Sequence, residues 1–387
     1  MRAVVCRAGE LTVQDVPMPV PETGQVLLRV LRAGICGSDL HARVHCDATA
    51  DVSDEVGYGA FMRSDQSVVL GHEFAGEVVS YGPGCRKRWA PGTPVVSVPM
   101  IRHGDEAHLT GLTASASGAY AQFVLVSEDM TFEIPHGLSV ELAALTEPLA
   151  VAHHAVRRGE VGRRDVAVVI GCGPIGLAVV AMLKASGVRT VIASDLSAGR
   201  RALAGRVGAD IVIDPAVESP FDRCAREGKY VTAAQDLLGT AFDAMHTLRR
   251  IPLAPWDSLF RIADRLGATP KGPVIFECVG TPGMIEHVVS NAPFRSRVVV
   301  VGVCMEPDTF RPAMALNKEI ELRFVFVYDP AEFHETLQMI AEGKVDVGPM
   351  ITATVGLEGV APAFDALGAA AHHAKVLIDP MSEIDSL

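Results

Sequence analysis

The stretch from Asp165 to Asp195 constrains the fold more than any other part of this 387-residue chain. Val166-Ala167-Val168-Val169-Ile170 is a continuous apolar run rich in β-branched residues, the pattern of a strand covered on both faces. It leads into Gly171-Cys172-Gly173-Pro174-Ile175-Gly176, and Leu177 to Ser186 follows as an apolar helical stretch. A second strand, Val191-Ile192-Ala193-Ser194-Asp195, ends in an acid 19 residues beyond Gly176. A dinucleotide-binding βαβ unit needs ~20. The glycines let the backbone turn tightly and approach a pyrophosphate, whose charge then sits at the helix N-terminus. Asp195 can accept hydrogen bonds from ribose hydroxyls and would repel a 2′-phosphate, which predicts NAD over NADP. Arg200 and Arg201 argue the other way, since either could meet a phosphate; their alternative is a solvated helix face.

The same sheet continues through Ile211-Val212-Ile213, Val274 to Gly280 and Arg297 to Val303, with Ile320 to Val327 as an edge strand. Between about residues 224 and 271, two amphipathic patterns predict a helical insertion. One is Leu237, Leu238, Ala241, Phe242, Met245 and Leu248; the other is Leu259, Ile262, Ala263 and Leu266. The first 130 residues or so read instead as short strands broken by proline and glycine turns, an irregular β domain. Residues 42–66 read as a polar loop, with Tyr58, Phe61 and Met62 as pocket-lining or packing residues. Ser139 caps a predicted helix, which Pro148 is expected to break.

A second chemical centre lies at Gly34-Ile35-Cys36-Gly37-Ser38-Asp39-Leu40-His41. A thiolate, a hydroxyl, a carboxylate and an imidazole fall within six residues. Ser38 and His41 can relay a proton, and Asp39 can hold a histidine in one tautomer. This is the mixture of metal ligand and orienting partner that a metal site needs. Gly71-His72-Glu73 supplies candidates for the remaining ligands. Glu147, a carboxylate beside Pro148 at the expected helix kink, is either a further ligand or a helix-capping carboxylate.

Composition excludes several classes. The formal net charge is -12 at pH 7, against non-specific nucleic-acid binding. No apolar run reaches the ~18 residues of a membrane span. The start of the chain lacks the apolar region of a signal peptide, and 8 scattered cysteines suit reduced thiols in a cytoplasm.

Together these motifs resemble the zinc-dependent medium-chain dehydrogenases, of the alcohol, polyol and threonine dehydrogenase kind. The carriers are the Gly34 to His41 stretch, Gly71-His72-Glu73, Thr146-Glu147-Pro148-Leu149-Ala150, the Gly171 to Gly176 turn and Phe276-Glu277-Cys278-Val279-Gly280. The resemblance implies an α/β fold, with a doubly wound Rossmann sheet inserted into a GroES-like β domain. Residues 1–150 and 331–387 would form the catalytic part and 151–330 the cofactor part. It makes Cys36 and His72 zinc ligands, with Glu73 and Glu147 competing for the remaining protein position. An acid at Glu147 points to the polyol or threonine branch. Asp39 would orient His72; Val279 and Val301 would contact the nicotinamide end, and Lys375 the pyrophosphate.

The family's structural zinc uses four closely spaced cysteines, and residues 93–118 contain none. One catalytic zinc is therefore expected, with His103, Asp105, Glu106 and His108 in a solvated loop. The implied reaction is hydride transfer between a primary or secondary alcohol and NAD, giving an aldehyde or ketone, in a homodimer or homotetramer. Zinc would act as a Lewis acid, and the proton would leave through Ser38, the nicotinamide ribose and His41. The rivals are an NADP-linked carbonyl reductase and a dinucleotide-binding protein without catalysis.

Overall fold

The structure is a computed structural model that describes residues 1–250, 255–265, 270–369 and 373–385. One half is a parallel sheet of six strands. Their order across the sheet is Ile211–Ile213, Thr190–Ser194, Val166–Ile170, Val274–Glu277, Arg297–Val300 and Glu321–Phe324. The chain moves outward from Val166–Ile170 in one direction, then returns to its other side at Val274–Glu277. That reversal opens a crevice at the carboxyl ends of these two strands, where ligands bind in doubly wound sheets. Both faces are covered, so Val166, Ala167, Val168 and Val169 are all buried.

The Pro174–Ala185 helix leaves this crevice with Pro174 in its first turn, where a missing N–H costs nothing. A side chain at Gly176 would run into the carbonyl oxygen of Gly171. Only glycine permits the helix to sit this close to the turn.

The other half is a seven-stranded sheet, in which Gln25–Gly34 is central. Glu73–Tyr81 and Phe123–Ser127 pair with it antiparallel, as does Lys375–Ile378 from the far end of the chain. Ile351–Val355 then pairs parallel to Lys375–Ile378. The C-terminal strands thus complete a sheet begun by the N-terminal part. Leu28, Val30, Phe74 and Val376 are among its buried residues, and truncating such a side chain to alanine costs about 2–5 kcal/mol.

The polar loop expected at 42–66 is in its first part a helix, Gly37–Glu55, kinked at His45. Its buried residues are Asp39, Ala42, Cys46 and Ala50, a stripe of small side chains on one face of an otherwise polar helix. Met62 belongs to the core and the Tyr58 hydroxyl accepts from Leu109 N–H at 3.0 Å, so packing accounts for both. The Thr146–Gly159 helix runs through Pro148 without a break. Pro148 lies in the first turn, where its absent N–H would have had no helical partner. Ser139 caps a short helix as expected, accepting from Leu142 N–H.

The insertion holds the helices Pro220–Gly228, Ala234–Arg249 and Trp256–Arg265, and Ala234–Arg249 buries none of its residues. Leu266 of the second amphipathic pattern lies outside the described residues.

Candidate metal centre and dinucleotide crevice

Strand pairing assembles the first centre. Gly34, at the end of its strand, is in register with Glu73 at the start of the next. Cys36 and His72 lie just beyond these paired ends and are brought together. One donor atom each from Cys36, His72 and Glu73 falls within 4.8 Å of the others. Among the described residues this is the one such group of three, and all its members are buried.

The helix at Gly37 starts from Cys36, and Asp39 returns to accept from Cys36 N–H at 3.0 Å through Oδ2. Its Oδ1 lies 3.2 Å from His72 Nδ1. The imidazole is thereby held from behind, leaving Nε2 for the donor cluster. Ser38 Oγ is 3.0 Å from that Nε2. His41 follows Ser38 by three positions on the same helix, so both share one face.

A thiol, an imidazole and a carboxylate with an acid behind the imidazole suit zinc, which takes sulfur, nitrogen and oxygen ligands alike. Burial, reinforced by the Glu73 carboxylate, holds the Cys36 thiol above its usual value in the absence of a metal. Burial also opposes a charge on His72, but Asp39 and Cys36 outweigh it and hold the imidazole well above its ordinary range. A dication among these groups would reverse both effects, because ligation requires the thiolate and a free imidazole nitrogen.

Glu147 stands at the edge of this group. Its Oε1 accepts from the Tyr328 hydroxyl at 3.0 Å. Burial, helped by Glu73 and opposed by His72, pushes its carboxyl up to about 7. Burial and the neighbouring His45 lower His41, which favours a neutral imidazole able to accept a proton.

Lys375 corrects an expectation. It is not at a pyrophosphate position open to a cofactor. Its side chain is fully buried, with Nζ 2.7 Å from both oxygens of Glu73 and 3.0 Å from the Ile35 carbonyl. The pairing of Lys375–Ile378 with Gln25–Gly34 points it inward.

Tyr120 was not among the expected site residues. Its hydroxyl donates to Asp39 Oδ2 at 2.5 Å inside the core. Burial and the Asp39 charge push this phenol well above its usual value, so it stays a donor. The visible signal was one large polar aromatic set between small residues, Gly118-Ala119-Tyr120-Ala121. Tyr328, the partner of Glu147, carried no comparable signal.

In the crevice, Gly171, Gly173, Pro174, Ile175 and Gly176 form the strand-to-helix turn at the carboxyl end of Val166–Ile170. Asp195 accepts from Cys172 N–H and from Ser197 N–H, each at 2.7 Å, and so ties this turn to the next strand. Arg201 is engaged by Asp214 at 2.9 Å. Arg200 keeps a buried Nε with no hydrogen-bond partner. Val279 and Val301 follow the adjacent strand ends, and Glu277 accepts from Val279 N–H through its side chain and from Val301 N–H through its carbonyl.

The segment without cysteines folds as a hairpin, Met100–His103 with Glu106–Leu109. His103 Nδ1 lies 3.1 Å from Glu22, and His108 Nδ1 lies 3.0 Å from Ser115 Oγ.

Residues 22–136 match the family model of the alcohol dehydrogenase GroES-like domain, and residues 174–250 that of the zinc-binding dehydrogenases. The chain is 28% identical over 381 residues to (R,R)-butanediol dehydrogenase of Bacillus subtilis, covering 96% of this chain and 97% of that protein. It is 29% identical over 374 residues to sorbitol dehydrogenase of Macaca fascicularis, covering 94% and 91%. A structure from Sinorhizobium meliloti 1021, described as a zinc-binding dehydrogenase bound to NADP, superposes with a TM-score of 0.73. It is 26% identical and covers 98% of this chain and 99% of that one.

Proposed function

From the premise that this chain belongs to the zinc-dependent medium-chain dehydrogenases of the polyol dehydrogenase branch, we propose that it is an NAD-linked dehydrogenase of small polyols or vicinal diols. It interconverts a secondary alcohol and a ketone. The observation that carries this reading is the buried Cys36, His72 and Glu73 cluster with Asp39 behind His72. Cys36, His72 and Glu73 would hold one zinc. Zinc supplies Lewis acidity toward the substrate oxygen, and the nicotinamide supplies the hydride acceptor.

The chain's own residues do the rest. Asp39 fixes the tautomer and direction of His72. With His72 Nε2 given over to a metal, the Ser38 hydroxyl, 3.0 Å from that nitrogen, would be available to a substrate hydroxyl. Ser38 Oγ passes the proton onward, and neutral His41 accepts it on the way to water. Lys375 already compensates the Glu73 charge. Cys36 and Glu147 would then supply the uncompensated negative charge facing a dication, Glu147 from outside the Cys36, His72 and Glu73 group. The Gly171–Gly176 backbone and the N-terminus of the Pro174–Ala185 helix receive the pyrophosphate. Asp195 would face the adenosine ribose, with Val279 and Val301 toward the nicotinamide.

Residues 1–150 and 331–387 are the catalytic part in this reading, and 151–330 the cofactor part. The edge strand Glu321–Phe324, with Phe326 beside it 83% exposed, supports a homodimer or homotetramer. No described helix is long and apolar enough to cross a membrane.

NADP is the second reading. The unpartnered Nε of Arg200 favours it, as does the similar structure solved with NADP. Elemental analysis for zinc, followed by absorbance assays of butanediol and sorbitol with NAD and with NADP, tests both. About one zinc per chain and faster reduction of NAD is expected. Turnover by metal-free protein would defeat the zinc assignment.

A further inference from the structure

Asp39 can orient His72 only if something orients Asp39. Its carboxylate is fully buried on the first turn of the Gly37–Glu55 helix, where water cannot share that task. Its Oδ2 is held by Cys36 N–H at 3.0 Å and by the Tyr120 hydroxyl at 2.5 Å. The Tyr120 oxygen also lies 3.2 Å from the Gly34 carbonyl. A phenol has one proton, and the shorter, charge-assisted contact to the carboxylate takes it. With Oδ2 occupied twice, Oδ1 is the oxygen left to face His72 Nδ1 at 3.2 Å.

The tyrosine ring acts on the backbone that precedes the same histidine. Gly71, directly before His72, has a φ of +103°. A Cβ there would come 2.5 Å from Tyr120 Cδ1 and 2.7 Å from Cε1. The ring therefore lies against the backbone that delivers His72. Tyr120 N–H also donates to the Leu70 carbonyl at 3.0 Å, and Phe364 meets the ring edge-on with centroids 6.1 Å apart.

We propose that Tyr120 is a positioning residue for the metal centre: its hydroxyl fixes the Asp39 carboxylate and its ring braces Gly71, so that His72 presents Nε2 to the metal. The inference rests on the reading that Cys36, His72 and Glu73 hold zinc. Its electrostatic consequence is specific. A strong donor on Oδ2 draws charge from Asp39 and leaves Oδ1 facing His72 Nδ1. Phenylalanine at this position keeps the ring and its contacts with Gly71 and Phe364, and loses only the hydroxyl.

The test titrates zinc into metal-free wild type, Tyr120→Phe, Asp39→Asn and the double variant against a competing chelator. Cobalt-loaded absorption spectra are recorded alongside. Loss of an outer partner of a ligating histidine weakens metal binding about 10- to 100-fold. Tyr120→Phe, one step further out, should sit near the lower figure and shift the cobalt bands. Because it acts through Asp39, the double variant should bind no more weakly than Asp39→Asn alone. Unchanged zinc affinity in Tyr120→Phe, or fully additive losses, overturns the proposal. Should Tyr120→Phe not fold without metal, a fluorinated tyrosine at position 120 serves instead, and unchanged affinity there is equally fatal. Wild type that takes up no zinc overturns the metal reading and this proposal with it, whereas uptake by wild type with an indifferent Tyr120→Phe overturns the proposal alone.

Discussion

Lys375 Nζ sits 2.7 Å from each carboxylate oxygen of Glu73, and neither side chain is exposed to solvent. A pair this deep is sensitive to the loss of one member. Removing one partner leaves a buried charge uncompensated and costs about 3–5 kcal/mol. Lys375→Met should lower stability by about that amount in metal-free protein, read by urea unfolding. Zinc should restore part of the loss, because its charge replaces the missing ammonium beside Glu73. An equal loss with and without zinc would place Glu73 away from the metal.

His72→Ala separates the two centres. The imidazole belongs to the donor cluster, whereas the Gly171–Gly176 turn belongs to the parallel sheet. Zinc uptake should vanish, and turnover should fall by more than ~100-fold, the upper figure for losing a mere outer partner. NAD affinity, measured by fluorescence titration, should change little. A variant that still turns over at the wild-type rate would remove zinc from the mechanism.

What the sequence made legible was what is local. Strand, glycine turn, helix and acid between Asp165 and Asp195 follow one another along the chain, and the structure keeps that order. Cys36 and His72 were legible through their chemistry and their neighbours. The partner of Glu73 was not, because Lys375 lies 302 residues away and arrives only through antiparallel pairing at the far end of the sheet. The Gly37–Glu55 helix escaped notice because its buried stripe, Ala42, Cys46 and Ala50, is made of small residues on a polar background. The Tyr120 hydroxyl acquires its partner only when Asp39, 81 residues away in the chain, is brought to it across the core.

Asp195 should decide the cofactor. A like-charge contact with a 2′-phosphate costs several kcal/mol, so kcat/KM for NAD should exceed that for NADP by at least ~100-fold. Asp195→Asn keeps an acceptor for Cys172 N–H and removes the charge. The gap between the cofactors should narrow, chiefly through KM for NADP. Wild type that prefers NADP, with the preference lost in Arg200→Ala, would establish the second reading.

Glu147 predicts a pH dependence whose sign is unusual for a carboxyl group. Its folded-state value is about 7, against about 4.5 for an unperturbed glutamate. Between these values the folded protein keeps a proton that the unfolded chain has released. Folding therefore binds protons in this window, and stability falls as pH rises through it. A separation of that size corresponds to roughly 3 kcal/mol between about pH 4 and about pH 8. Metal-free protein should show this decline in urea unfolding, and Glu147→Gln should flatten it. Zinc-loaded protein should also lack the slope, because a dication nearby favours the ionised carboxylate. A metal-free slope that survives in Glu147→Gln would assign the proton to another group.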